Sequence, residues 1–253
     1  MSKVDMNSVL KKLRSHGDLI DFERVRDLPE GLEEYLSYYS LPYKRIQFGK
    51  LSDQHMNKVY QFSPIEPNGE TVLLLHGYLD HTGSLSRTIQ FLLEHNYTVV
   101  TLDWQGHGLT EGERGVISNF EEYYQSYSYL LSKLKKSGNG PVHVVAHSTG
   151  AAVVINSLLR GDKSAPCTSY ILIAPLIRSS HWTTSKLSYH LLKSFLTKIK
   201  RFVRNNSSDK HFVRSLKNDP NQTHYVPLQW LQSLITWEQN IQNTTSTTER
   251  VLI

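Results

Sequence analysis

The residues best suited to covalent chemistry lie in Ala146-His147-Ser148-Thr149-Gly150. A β-branched run with Val142, Val144 and Val145 leads into them, and the apolar residues 151–154 follow. A strand, a tight turn with serine at its apex and a helix would present the Ser148 hydroxyl for attack on a carbonyl carbon. The turn is tight enough that the neighbours of the serine must be small, and here Ala146 stands where glycine is usual. The same five residues also fit an ordinary strand-to-helix turn. The neighbouring loops must decide.

Two further loops follow apolar runs of strand length. After residues 71–75 comes His76-Gly77-Tyr78-Leu79-Asp80-His81. After residues 97–102 comes Asp103-Trp104-Gln105-Gly106-His107-Gly108-Leu109-Thr110-Glu111-Gly112. Together with the serine turn, these motifs in this order and spacing resemble the α/β-hydrolase superfamily. Within it they resemble the monoacylglycerol lipase and lysophospholipase branch, the serine aminopeptidase-like group, from about residue 43 to the end.

The resemblance implies a serine hydrolase that cleaves carboxylic esters, monoacylglycerol or lysophospholipid foremost, through an acyl-enzyme on Ser148. It also implies an oxyanion hole formed by the backbone N–H groups of Tyr78 and Thr149. Losing one such donor typically costs roughly 3–4 kcal/mol of transition-state stabilisation. No cofactor is implied. Amidase, thioesterase and peptidase chemistry use the same parts.

Two departures from the pattern are small. Ala146 is nearly as small as glycine, and Gln105 stands where the branch usually has an arginine that orders its loop by hydrogen bonds. The third is larger. The triad of this fold runs in chain order serine, acid, histidine, and the resemblance puts both later members beyond Ile253. A serine hydroxyl is a poor nucleophile without a positioned base. Among the twelve histidines, His147 reads as a neighbour of the serine that faces away from it. His76, Asp80, His81 and His107 read as loop-structuring residues, and Asp103 as a tie between loops. His211 and His224 fall in a cap and are weak candidates for the base. The alternative to an enzyme is a truncated, non-catalytic binding protein or pseudoenzyme. Stopping inside the apolar residues 251–253 predicts a fragment of a longer sequence instead, because it leaves a sheet edge bare.

Placing three such loops side by side takes strands alternating with helices, hence a mostly parallel sheet covered on both faces. Residues 1–42 read as a helical extension, with Val9, Leu10 and Leu13, then Leu32, Tyr35 and Leu36, at helical spacings. Residues 43–177 read as the α/β-hydrolase core, with strands over 42–48, 58–62, 71–75, 97–102 and 169–174. One core helix carries Leu85, Ile89, Leu92 and Leu93. Another, opened by a capping box at Ser118 and Glu121, carries Phe120, Tyr124, Tyr127, Leu131 and Leu134. Residues 178–249 read as a helical cap, with Leu187, Leu191, Phe195, Ile199 and Phe202, and later Leu228, Leu231, Leu234 and Ile235, recurring helically. Residues 250–253 start a returning core strand, and the C-terminal strands are missing.

Composition excludes several classes. A hydrophobic fraction of 39% does not fit a disordered chain. Cys167 alone excludes an intrachain disulfide and suits a reducing, cytoplasmic compartment. Residues 1–21 lack the apolar stretch of a signal peptide, and no run nears the roughly 18 apolar residues of a membrane span. His143 and His147 have a metal-ligand spacing only on a helix. On a strand four residues span roughly 13 Å, and one cysteine is too few for a thiolate site. A phosphate loop is absent. Residues 178–217 hold ten Lys or Arg against the single acid Asp209. Interleaved with Leu191, Leu192, Phe195, Leu196, Ile199 and Phe202, they fit peripheral contact with an anionic membrane, or else a solvated basic face over a packed helix. Nucleic acid has no support beyond the charge.

Overall fold

In the computed structural model, residues 5–42, 44–138, 140–161, 167–178, 182–201, 208–241 and 251–252 are described. The apolar run Thr71–Leu75 forms β3, buried at every position. It is buried because it lies fourth of seven strands, flanked by parallel partners on both sides. The sheet order is β1 (Ile46–Lys50), β2 (Lys58–Phe62), β4 (Thr98–Leu102), β3, β5 (Val142–His147), β6 (Ser169–Ile173) and β9 (Val251–Leu252). The first two strands form an antiparallel hairpin, and β2 is also antiparallel to β4. All other pairs are parallel. The first strand thus begins four residues later than the reading 42–48, where its register against β2 pairs Ile46 with Phe62.

Side chains alternate across the sheet, so the two faces of β3 have different covers. Leu73 and Leu75 join a core with α4 (Glu121–Lys136) and α5 (Thr149–Leu159). Leu74 faces α3 (Ser86–Glu94), α1 (Met6–Ser15) and α2 (Leu32–Tyr38). The helices of residues 5–42 therefore complete one face of the core, through Leu10, Leu13, Leu32, Tyr35 and Leu36, each at most 1% exposed.

The capping box at Ser118 is displaced by one position. The α4 helix starts at Glu121, and the Glu122 carboxylate accepts the Ser118 N–H at 3.0 Å. Phe120 is drawn into the core instead and stacks on Trp237 at 4.3 Å.

Between β6 and β9 lie α6 (Trp182–Leu192), β7 (Lys198–Lys200), α7 (Lys210–Asn218), β8 (Tyr225–Pro227) and α8 (Leu228–Ile241). The helical run expected through Phe195 and Ile199 stops at Leu192. Ile199, half-buried between exposed Lys198 and Lys200, has the period of a strand and pairs with Val226. Phe202 falls outside the described residues. On α8 the spacing holds, with Leu228, Leu234 and Ile235 buried. Buried Glu238 ties the segment together, accepting from Arg178 at 2.7 Å and Lys186 at 3.1 Å. Among the described residues, no helix is long and apolar enough to cross a membrane.

Candidate active site

Ser148 sits between the last residue of β5 and the first of α5, with φ 52° and ψ −112°. A non-glycine residue in that region is strained by about 1–3 kcal/mol and persists only when its surroundings hold it. Three backbone bonds do so: Ser148 N–H donates to the Ile173 carbonyl at 3.0 Å, and the Ser148 carbonyl accepts from Ala152 at 3.0 Å and Leu176 at 3.1 Å. The small neighbours have visible reasons. A Cβ at Gly150 would lie 2.8 Å from the His76 carbonyl oxygen and 2.9 Å from that of Leu75. Ala146 is fully buried and its methyl group is accommodated.

The His76-Gly77-Tyr78 loop runs directly against the serine. A Cβ at Gly77 would be 3.1 Å from Ser148 Cβ and 3.1 Å from His147 Nδ1. Among the described residues, the N–H groups of Tyr78 and Thr149 have no hydrogen-bond acceptor, and the Ser148 hydroxyl has no partner. Thr149 opens α5, so the positive end of the helix dipole points toward Ser148. Serine and two unengaged amides are brought to one place.

The loop residues are locked rather than free. His76 is fully buried: its Nδ1 donates to the Gly77 carbonyl at 2.7 Å and its Nε2 accepts from Trp104 N–H at 3.1 Å. Burial holds its pKa below the ordinary value, in keeping with an Nε2 that accepts and therefore carries no proton. Asp103 is the tie between loops. Its carboxylate accepts from Thr82 N–H (2.7 Å), Leu109 N–H (2.8 Å) and the Tyr60 hydroxyl (2.9 Å). Asp80 accepts from His81 N–H and the Ser84 hydroxyl. His107 Nδ1 donates to the Gln105 carbonyl at 2.8 Å, and burial depresses its pKa strongly. The Gln105 side chain is exposed and makes no hydrogen bond among the described residues. His147 is exposed, as is His224, and the His211 side chain lies outside the described residues. His143 bonds Ser169 and Glu70, at the opposite end of β5 from Ser148.

One pairing has no precursor in the sequence. His81 Nε2 bonds Asp219 Oδ2 at 2.8 Å, and its Nδ1 accepts from Gly83 N–H at 3.1 Å. A His–Asp pair beside a serine loop invites reading as a base and its acid. Both ring nitrogens are engaged and the side chain is 1% exposed, so it is not one. No local signal joins positions 81 and 219, which lie in separate segments. Three clefts, of about 980, 730 and 530 Å³, have linings that do not include Ser148, Tyr78 or Thr149.

The family model described as serine aminopeptidase, S33 (Hydrolase_4) matches residues 66–250. The chain is 25% identical over 151 residues to the monoglyceride lipase of Homo sapiens, covering 59% of this chain and 49% of that one. It is 30% identical over 147 residues to the monoglyceride lipase of Rattus norvegicus, covering 56% and 46%. It thus spans about half the length of the curated relatives it matches. Among solved structures, a Paleococcus ferrophilus monoacylglycerol lipase shares the fold with a TM-score of 0.62 at 20% identity, covering 76% of this chain and 75% of that one. The chain belongs to the family described as serine aminopeptidase, S33, with the α/β-hydrolase fold, and it is similar to monoglyceride lipases.

Proposed function

We propose that Ser148 is the nucleophile of a carboxylic ester hydrolase acting on monoacylglycerols or lysophospholipids. The observation that carries the reading is Ser148 in a strained turn with the unengaged amides of Tyr78 and Thr149 beside it. Ser148 Oγ attacks the ester carbonyl carbon, and the two amides hold the oxyanion that forms. Expulsion of the alcohol leaves an acyl group on Ser148, and water then releases the carboxylic acid. The proton of Ser148 passes to a base that is not assigned among the described residues. Metals and cofactors have no part in this chemistry.

In the same reading, residues 1–42 are a helical extension, 43–177 the core, 178–249 the cap, and 250–253 part of a core strand. The cap also provides a surface for anionic lipid. Leu187, Leu191, Phe195 and Leu196 are exposed there by 60, 63, 85 and 44%, beside Lys193 and Lys198. A soluble domain rarely leaves such a cluster open without a use.

The experiment is labelling with a fluorophosphonate, paired with a monoacylglycerol hydrolysis assay. Labelling abolished in Ser148→Ala is the expected result. Labelling that persists in that variant refutes the assignment, and no labelling of the unaltered protein favours a binding protein without catalysis. That the Ser148 hydroxyl has no partner among the described residues is the observation behind that second reading.

A further inference from the structure

The loop that carries the Tyr78 amide is fastened at both ends. His76 fixes the start, and His81 and Thr82 fix the finish. Between them Leu79 is held at φ 60°, a conformation that a leucine does not keep unaided. The fastening at His81 comes from outside the sheet. Asp219 follows α7, and its Oδ1 accepts from the Tyr39 hydroxyl, just beyond α2, at 2.6 Å and from Asn221 N–H at 2.8 Å. Asn221, 3% exposed, accepts in turn from Arg14 of α1 at its Oδ1 (2.7 Å) and from Arg114 at its carbonyl (3.0 Å). Both guanidinium groups also donate to the Gly108 carbonyl at 3.2 Å. The N-terminal helices, the Tyr78 loop, the loop after β4 and the residues following α7 thus close into one buried network. Arg14 and Tyr39 lie outside the matched span 66–250.

We propose that His81 and Asp219 form a positioning pair, held by Tyr39 directly and by Arg14 through Asn221, that sets the Gly77–Tyr78 loop against Ser148. The proposal deepens the reading of Tyr78 as an oxyanion donor and rests on it. Neither residue touches a reacting atom. They act through the loop backbone, by fixing its C-terminal end while the residues after α7 and the N-terminal helices supply the partners.

Hydrogen exchange on the full chain tests it without any need for turnover. In Asp219→Ala, the amides of residues 77–84 exchange about tenfold faster, while those of β3, β4 and β5 keep their wild-type protection. Tyr39→Phe removes one hydroxyl, leaves the packing of the ring, and gives a smaller rise at the same amides. Unchanged exchange at 77–84 in a folded Asp219→Ala variant overturns the proposal. So does a rise shared equally by the central strands, which is what a merely stabilising contact would give. Should Asp219→Ala fail to fold, Tyr39→Phe decides by the same two criteria. The fluorophosphonate labelling rate of Ser148 falls in the same order of variants. Absence of labelling in the unaltered protein would count against the hydrolase reading alone, because the exchange measurement is independent of it.

Discussion

The Tyr78 ring lies flat on Trp230, centroids 3.6 Å apart and planes 12° from parallel. The Tyr78 hydroxyl also donates to the Gly115 carbonyl at 2.8 Å. The side chain of the residue assigned as an oxyanion donor is therefore gripped by α8 from one side and by the loop after β4 from the other. Trp230 is 6% exposed, so truncating it removes a large buried side chain as well as the stack. Trp230→Ala should destabilise the fold by about 3–5 kcal/mol, read as a lower urea midpoint by circular dichroism. Trp230→Phe keeps a ring on Tyr78 and should recover more than half of that loss. Equal losses in the two variants would mean that a ring against Tyr78 contributes nothing to stability.

His81 and Asp219 make stability depend on pH in a defined window. Burial opposes charge on His81, and the added proton must displace the Gly83 N–H from Nδ1, but the adjoining Asp219, with Asp103 and Asp80 behind it, raises its pKa above the ordinary 6.5 overall. Burial likewise opposes charge on Asp219, yet the bonds from His81, Tyr39 and Asn221 hold its pKa below the ordinary 3.8. A raised histidine stabilises fully below the unfolded value of 6.5 and loses that contribution as pH climbs through its folded pKa. A depressed carboxylate stabilises above 3.8 and loses its share as pH falls through its folded pKa. The pair therefore contributes most between those limits, and the alkaline side is the accessible test. His81→Gln should abolish the decline of the unfolding temperature above pH 6.5 that belongs to this pair. A wild-type profile identical in slope to the variant's over that range would show that the pair carries no charge.

Glycines 77 and 150 should fail in different ways. A methyl at Gly150 meets backbone, the His76 and Leu75 carbonyl oxygens under 3.0 Å away, and backbone cannot step aside. Gly150→Ala should cost about 1–3 kcal/mol of stability, seen as a lowered unfolding temperature. A methyl at Gly77 meets the His147 imidazole and Ser148 Cβ at 3.1 Å, and His147 is exposed and able to turn. Gly77→Ala should shift stability by less than about 1 kcal/mol while slowing fluorophosphonate labelling. Labelling at the wild-type rate would contradict the close approach of that loop to the serine.

The elbow and the central strands were legible in the sequence because their causes are local. Residues 71–75 are apolar without alternation, which only a strand covered on both faces requires, and Gly150 is small because β3 lies against it. The roles of His76 and Asp103 as ties between loops were legible through the resemblance, since their partners sit in the motifs themselves. The strand over Lys198–Lys200 was not legible, because Leu187, Leu191 and Phe195 continue at helical spacing toward Ile199 and only pairing with β8 reveals the change. Nor was the junction of Tyr39, His81 and Asp219. Its members lie in three separate segments, and although His81 reads as a loop-structuring residue, no local signal assigns it Asp219, or Asp219 the Tyr39 hydroxyl, as a partner.

On the proposed reading of the cap, the exposed apolar side chains of α6 and the turn after it would seat the protein on an anionic membrane. Leu187 and Leu191 are one helical turn apart, and Phe195 and Leu196 extend the patch while Lys193 and Lys198 flank it. Apolar insertion and lysine attraction would act together at an anionic surface, the first insensitive to salt and the second screened by it. Vesicles containing anionic lipid should therefore carry the protein upward in flotation, and neutral vesicles should carry much less. Raising the salt should close most of that gap. Phe195→Ser removes the most exposed of the four rings and chains, and the burial of such a side chain is worth about 1.5–3 kcal/mol. Its loss should weaken binding at least about tenfold at any salt, while Lys193→Glu should weaken it only at low salt. Equal flotation with anionic and neutral vesicles would remove the role of the lysines, and no effect of Phe195→Ser would leave the apolar patch to some other partner.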